Sequence, residues 1–466
     1  MQRKLSPLHF VGIGGIGMAA LAELFHAQGF SVSGSDLVAG PSFERLRGLG
    51  IRVTLGHEAS ALKEARTVVR SSAIPDENPE LAAARTRELR IVSRGELLAE
   101  VMRTQDAIAI AGSHGKTTTS AMVAHLLDAA GLEPTALIGG RMPRPGGGSS
   151  PLKLGRGDLI VAEVDESDGS FLLTRPAFAV VTNVDPEHLD HYGNTHALHD
   201  AFVDFANALP FYGACALGVD HPGVAAITPR ITSRKIGFGF HPDADVRAES
   251  VGPIPGGQRC HFALRDGRRG TFDLPMPGAH NVLNALAAIA MGLEQDVDIE
   301  LLCEALAHFP GVARRFEDKG EAGGVRVVDD YAHHPAEVRA ALAGAREVHS
   351  GPITAVFQPH RFSRTRDCWE EFRTAFDEAD RVVIAEIYSA GENALPGIDS
   401  HRLAMALRET SHAEAHFGGT LDAIEADWAD RFEAGELVLT LGAGDIVELG
   451  PRLLAALAAR TGGQSR

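Results

Sequence analysis

The sequence predicts an α/β protein of three successive domains, each alternating strands with helices. Three observations carry that expectation. Two apolar runs end in glycine turns that open helices, at residues 8–18 and at residues 106–120. After each, short β-branched runs alternate with helix-compatible stretches, which is the pattern of parallel sheets. At 466 residues the chain is also too long for one hydrophobic core.

The first domain is expected over residues 1–104. Its opening stretch, LHFVGIGGIGM from Leu8 to Met18, is an apolar strand running into Gly12, Gly14 and Gly17, with Gly15 and Ile16 inside the turn. A helix follows from about Met18 to Gln28, and a second strand, Ser31 to Ser35, ends at Asp36, 19 positions after the last glycine. This is a dinucleotide fingerprint, and it makes the domain Rossmann-like. A glycine loop at a helix N-terminus recognises a pyrophosphate whatever is attached to it, so NAD and a nucleotide-sugar diphosphate both satisfy it. A strand and loop from Val68 to Ile74, carrying Ser71 and Ser72, and a helix from Glu80 to Glu88 complete the unit.

The central domain is expected over residues 105–310. Ala107 to Ala111 reads as a buried strand, Gly112-Ser113-His114-Gly115 as a tight turn, and Thr117 to Ala130 as a helix. Glycines let backbone N–H groups crowd round phosphate oxygens, and the helix N-terminus adds partial positive charge. Lys116 would reach the outer phosphates of a nucleoside triphosphate, and the Thr117 hydroxyl, followed by Thr118, would sit on magnesium. The loop is shorter than the full P-loop pattern, since Ile110 stands where a glycine is wanted.

Residues 158–170 form an apolar strand that ends in carboxylates, which makes Glu163 or Glu166 a candidate magnesium ligand; a solvated acidic turn is the alternative. The strand from Phe178 to Asn183 ends in an acid and imidazole run that includes His188. Residues 222–277, rich in short β-branched segments and turns, are expected to add an antiparallel edge. His280, Asn281 and Asn284 fall on the first turns of the next helix, facing a ligand, or in the case of Asn281 capping the helix.

The last domain is expected over residues 311–466 and is again α/β. Arg314 and Arg315 lie in a linker, where they can swing onto phosphates or serve as a charged hinge. Tyr331, His333 and His334 stand between a strand end and a helix beginning near Pro335. Arg361, Arg364 and Arg366 follow the strand Ile353 to Phe357 and read as a carboxylate or phosphate clamp, with a solvated turn as the alternative. A final strand, Glu436 to Leu441, ends in Gly442-Ala-Gly-Asp445.

A formal charge of −17 leaves no basic stripe for nucleic acid. The four cysteines have no metal-type spacing and read as reduced thiols, and no apolar run approaches a membrane helix. A soluble cytoplasmic protein is expected.

Eight stretches now stand in order: GIGGIGM, GSHGKTTTS, EVDESDGSF, HLDHYG, HNVLNALAAIA, RRFE, DDYAHHP and QPHRFSRTRD. Together they resemble the Mur ligases, the ATP-dependent amide-forming family of peptidoglycan synthesis and cell wall biogenesis, and most nearly its alanine-adding members. The resemblance spans the chain. It implies three domains binding, in order, UDP-N-acetylmuramate, ATP and L-alanine, with the first glycine loop, Asp36, Ser71 and Ser72 holding the UDP-sugar and not NAD.

Further implications concern single residues. Lys116 would contact the transferred phosphate; Thr117 and Glu163 would hold one magnesium ion, or manganese in its place, and His188 a second. His280, Asn281 and Asn284 would border the adenine, Asp330 the ribose, and Arg315 would reach the phosphates. Tyr331, His333, Arg361 and Arg364 would surround the muramoyl carboxyl and the alanine. With Lys116, the last three would make the catalytic set, and His333 could take the proton of the amine. The protein would act on small molecules as a monomer or homodimer.

Two features depart from relatives. Ser113 stands where relatives commonly have Thr, and no lysine occurs between Lys153 and Lys235, which fits alanine addition and not the later ligases that use a carbamylated lysine. Three alternatives predict different behaviour. A ligase recycling murein tripeptide onto the same UDP-sugar would ignore alanine, an NAD-dependent oxidoreductase would change the spectrum of NADH, and a nucleotide-binding regulator would release no ADP.

Overall fold

The computed structural model describes residues 2–143, 147–410 and 414–463. Strands β1 (Leu8–Val11), β2 (Val32–Asp36), β3 (Arg52–Leu55), β4 (Thr67–Arg70) and β5 (Arg90–Ser93) form the first sheet, in the order β3-β2-β1-β4-β5 and parallel throughout. The central strand β1 is buried along its whole length, as its near-continuous apolar run requires in a sheet covered on both faces. The strand order reverses at β1, so the turns that follow β1 and β4 open a crevice at their carboxyl ends. The first carries the glycine loop, and the second carries Ser71 and Ser72.

The second sheet has ten strands: β6 (Asp106–Ala111), β7 (Thr135–Pro143), β8 (Ser149–Lys153), β9 (Leu159–Glu163), β10 (Phe178–Val181), β11 (Ala214–Gly218), β12 (Lys235–Gly239), β13 (Val246–Ile254), β14 (Gly257–Leu264) and β15 (Arg269–Leu274). Their order is β15-β14-β13-β12-β11-β10-β6-β9-β7-β8. β6 lies between β9 and β10 and runs parallel to both, which lines up the phosphate loop with the acidic ends of two neighbours. The expected antiparallel edge needs correction. β12 pairs parallel with β11, and β13 with β12. Antiparallel pairing follows only beyond β13, where β13 joins its neighbour β14 through residues 255 and 256, a link too short for a parallel crossover.

The third sheet runs β16-β17-β21-β18-β19-β20, from β16 (Glu317–Ala322), β17 (Val325–Asp330), β18 (Ile353–Phe357), β19 (Arg381–Ala385), β20 (Glu414–Gly419) and β21 (Leu437–Leu441). Apart from the antiparallel β16–β17 pair it is parallel. Inserting β21 between β17 and β18 brings the ends of all three strands together. Leu342, Phe357 and Leu403 pack one face; Val356, Ile424 and Leu453 pack the other. Each such fully buried side chain contributes about 1.5–3 kcal/mol.

Two compact units emerge, Met1–Ser250, Cys260–Phe272 and Leu283–Pro310 in one, and Val251–Arg259, Asp273–Val282 and Gly311–Arg466 in the other. The first two sheets thus share one unit, joined by a continuous core from Leu8 to Ile231. Among the described residues no helix is long and apolar enough to cross a membrane.

Candidate active site

The phosphate loop is built by close approach. Gly112, at φ +129°, lies so near β10 that a Cβ would fall 2.1 Å from Thr182 Oγ1, and Gly115, at φ +79°, would meet Asn284 Oδ1 at 2.6 Å. Both positions demand glycine. Polar contacts pin the turn between them. The N–H of His114 donates to Asn183 Oδ1 at 2.7 Å, Thr182 Oγ1 donates to the His114 carbonyl at 2.6 Å, and the N–H of Asp185 donates to Ser113 Oγ at 2.9 Å. Asn284 therefore belongs to the loop, accepting from Thr119 Oγ1 at 3.1 Å, whereas Asn281 donates to the carbonyl of Pro277 at 2.7 Å and braces the preceding turn.

Lys116 opens the helix Lys116–Ala129 and folds back over its own loop. Its Nζ donates to the carbonyls of Gly112 and Ser113 and lies 2.9 Å from Glu166 Oε1. Burial disfavours the ammonium, yet the Glu166 and Glu163 carboxylates more than offset it and hold its pKa above the ordinary lysine value. Burial pushes the Glu166 carboxyl up to about 7 against the pull of Lys116. Its other oxygen, Oε2, is buried without a hydrogen-bond partner.

Glu163 ends β9 and accepts from the Thr117 hydroxyl at 2.9 Å and from the N–H of Gly139 at 2.8 Å. Of the two candidate metal ligands, Glu163 thus contacts Thr117 and Glu166 pairs with Lys116. His188, in a left-handed conformation at φ 56°, places Nε2 3.9 Å from Glu166 Oε1. Beside it His114 lies 3.2 Å from Asp185 and His221 also 3.2 Å from Asp185, and these bonds hold that carboxyl far below the usual range. His221 was not a sequence candidate; only the pairing of β11 with β10 carries it there.

The first glycine loop and the phosphate loop open on one cavity of about 350 Å³, bordered by Gly15, Ile16, Gly17, Ser71 and Ser72 on one side and by Lys116, Gly139, Glu163 and Asp165 on the other. Gly12, Gly14 and Asp36 stand behind this lining. Asp36 Oδ2 accepts from the N–H of Gly14 at 2.8 Å and so shapes the loop. Arg94 also faces the cavity and pairs with Asp165 at 2.8 Å; nothing in the local pattern around Arg94 marks it.

In the other unit, the ends of β17, β18 and β21 gather a second set. Asp330 accepts from the N–H groups of Phe316 at 2.7 Å and Ala332 at 2.8 Å, and burial raises its carboxyl to about 6 despite nearby Arg315. The two linker arginines divide. Both lie over the Tyr331 ring, at 5.0 and 5.2 Å from its centroid, but Arg314 is also tied down by Asp329 at 3.1 Å and by the carbonyl of Gly442. His280 is exposed at the start of the helix Ala279–Leu293.

Burial lowers His333 to about 4, so its imidazole is neutral near pH 7. Nδ1 donates to the Tyr331 carbonyl at 3.0 Å, an acceptor-only partner, which leaves the Nε2 lone pair as the basic site. His360, another residue outside the sequence candidates, stacks on Tyr388 at 5.5 Å and lies 3.2 Å from Arg364; burial lowers it to about 3. Arg361 holds φ 72°, and its N–H donates to the Tyr388 carbonyl at 2.8 Å. Arg366 pairs instead with Asp367, at 2.7 Å on the surface.

Three family models match in succession: the Mur ligase family catalytic domain over residues 7–106, the Mur ligase middle domain over 110–292 and the Mur ligase glutamate ligase domain over 314–444. The chain belongs to the Mur ligase family. This Mur ligase is 48% identical over 456 residues to the UDP-N-acetylmuramate–L-alanine ligase of Anaeromyxobacter dehalogenans strain 2CP-1, covering 98% of this chain and 99% of that protein. It is 46% identical over 471 residues to the protein of the same name from Novosphingobium aromaticivorans, covering 99% and 98%. Its fold matches the crystal structure of a UDP-N-acetylmuramate-alanine ligase from Thermotoga maritima with a TM-score of 0.83 at 29% identity, over 99% of this chain and 100% of that one. A murein peptide ligase from Psychrobacter arcticus, at 24% identity and a TM-score of 0.72, shares the fold over 97% of this chain and 98% of its own.

Proposed function

We propose that this Mur ligase joins the carboxylate of UDP-N-acetylmuramate to the amine of L-alanine with hydrolysis of ATP to ADP and phosphate, as a cytoplasmic step of peptidoglycan synthesis. The observation that carries this is end-to-end identity of 46–48% with ligases bearing that name. Tripeptide recycling is less favoured, because the tripeptide-adding ligases matched are only 24% and 30% identical.

Chemically, the muramoyl carboxylate attacks the γ-phosphorus, ADP leaves, and the amine attacks the resulting acyl phosphate through a tetrahedral intermediate that expels phosphate. No covalent enzyme intermediate is needed; the protein places and neutralises charge. The shared cavity supports this assignment, because a UDP-sugar on the first glycine loop would extend toward Lys116. On binding ATP, Lys116 exchanges its own loop carbonyls for phosphate oxygens. Asn284 shapes the phosphate loop and Asn281 braces the turn before its helix; these two, with His280, Asp330 and Arg315, are the residues assigned to the nucleotide. His333, through Nε2, takes the proton of the amine, and Tyr331, Arg361 and Arg364 receive the carboxylates.

Thr117 and Glu163 offer hard oxygens 2.9 Å apart, and the unpaired Glu166 Oε2 and His188 lie beyond them, a donor set that fits magnesium and admits manganese. Bound there with ATP, the ion neutralises phosphate charge. Domains over 1–104, 105–310 and 311–466 and a monomeric or homodimeric state complete the proposal.

Its test is phosphate release with ATP, magnesium, UDP-N-acetylmuramate and L-alanine, leaving out one component at a time. Dependence on all four, with a UDP-muramoyl-alanine product, is expected. Turnover with murein tripeptide and none with alanine would overturn the choice of amine donor.

A further inference from the structure

A buried polar network in the first domain lies outside the chemistry above. Glu80, fully buried in the first turn of the helix Pro79–Thr86, receives four donors. Ser35 Oγ donates to its Oε2 at 2.8 Å, and His9 Nε2 lies 2.9 Å from the same oxygen. The N–H of Glu58 donates to Oε1 at 3.1 Å, with His57 Nδ1 at 3.3 Å. A carboxylate accepts only, so His9 presents its Nε2–H to it, with Nδ1 2.9 Å from Ser33 Oγ; His57 Nδ1 lies nearer to Ser35 Oγ, at 2.9 Å, and shares its N–H between that hydroxyl and Glu80. The helix N-terminus stabilises the buried charge.

Ser35 connects this network to the first glycine loop. Its carbonyl accepts from the N–H of Gly12 at 2.9 Å and of Ile13 at 3.0 Å, and the adjoining Asp36 accepts from Gly14. One residue is therefore held by Glu80 through its side chain while its backbone holds the loop. Burying a carboxylate and two imidazoles is costly, and an apolar core would stabilise the domain as well.

We propose that Glu80, with His9 and Ser35, is a positioning assembly that fixes the end of β2 and through it the glycine loop, and so sets affinity for the UDP-sugar. The inference rests on assigning that loop to the UDP-sugar. Glu80 touches no substrate. An amide in its place keeps one acceptor oxygen and turns the other into a donor, which sets donor against donor either for Ser35 and His9 or for the N–H of Glu58 and His57; the loop then loses its fixed geometry while the phosphate loop on β6 keeps its own supports.

The test is steady-state kinetics with each substrate varied in turn, beside thermal melting. Glu80→Gln is expected to raise KM for UDP-N-acetylmuramate about tenfold or more, with kcat and the KM values for ATP and alanine within about twofold of the parent. His9→Gln, whose amide can still donate to Glu80, should stay near the parent, and His9→Leu should follow Glu80→Gln. If Glu80→Gln does not fold, Ser35→Ala carries the same prediction with the carboxylate kept. Parental KM for the UDP-sugar in folded variants, or an equal change for all three substrates, overturns the inference. A parent protein without UDP-N-acetylmuramate-dependent turnover would instead sink the functional assignment beneath it.

Discussion

Lys116 satisfies two carbonyls of its own loop and pairs with Glu166. Lys116→Ala is expected to lower the rate of phosphate release about 10²–10³-fold or more while binding of UDP-N-acetylmuramate, measured by calorimetry, persists. The imidazoles of the last domain make a second residue-level prediction. His333 and His360 are lowered to about 4 and about 3, so between those values and the ordinary 6.5 the unfolded chain binds more protons than the folded one. Stability contributed by keeping them neutral is present above pH 6.5 and is lost as pH falls toward 4, by up to about 1.4 kcal/mol for each unit of pH and each group. Asp330, raised to about 6, and Glu166, raised to about 7, work the other way as pH falls and offset this. On going from pH 7 to pH 5 a His333→Gln, His360→Gln variant should therefore lose less melting temperature, or gain more, than the parent; an unchanged pH dependence would count against the buried neutral imidazoles. Lys116, Thr117 and Glu163 were legible because strand, glycine turn and helix follow one another locally. His360 and Arg94 were not, since each gains its place from contacts remote in sequence.

Elements position these groups by ending together. β6, β9 and β10 are parallel neighbours, so a phosphate loop, a metal-type carboxylate and an imidazole run emerge at one edge of the sheet. The loop between β6 and its helix tolerates no Cβ at Gly115. Gly115→Ala should destabilise the protein by about 1–3 kcal/mol and remove the rise in melting temperature that ATP with magnesium gives the parent, both read by thermal melting. Short apolar strands such as Ile353–Phe357 were legible to the residue because they are buried on both faces and bounded by turns. The parallel pairing of β12 and β13 was not, since a β-branched segment carries no record of the direction of its neighbour.

At the scale of the whole molecule, the six-stranded sheet and both clusters that cover it lie within residues 317–457. Residues 311–466 expressed alone should therefore fold, giving a cooperative melt by circular dichroism; a non-cooperative, unfolded spectrum would place the domain boundary earlier in the chain. The order of three α/β units, two glycine loops and the residue types at strand ends were determined by the sequence itself. These depend on backbone rules that act over a few residues: φ at glycine, apolar periodicity and helix entry. Only the tertiary structure decided that Glu163 pairs with Thr117 and Glu166 with Lys116, that Arg314 is held by Asp329 and the Gly442 carbonyl, and that both glycine loops face one cavity. Such choices depend on strand order and on which polar groups burial leaves to be satisfied, quantities that exist only once distant segments have packed.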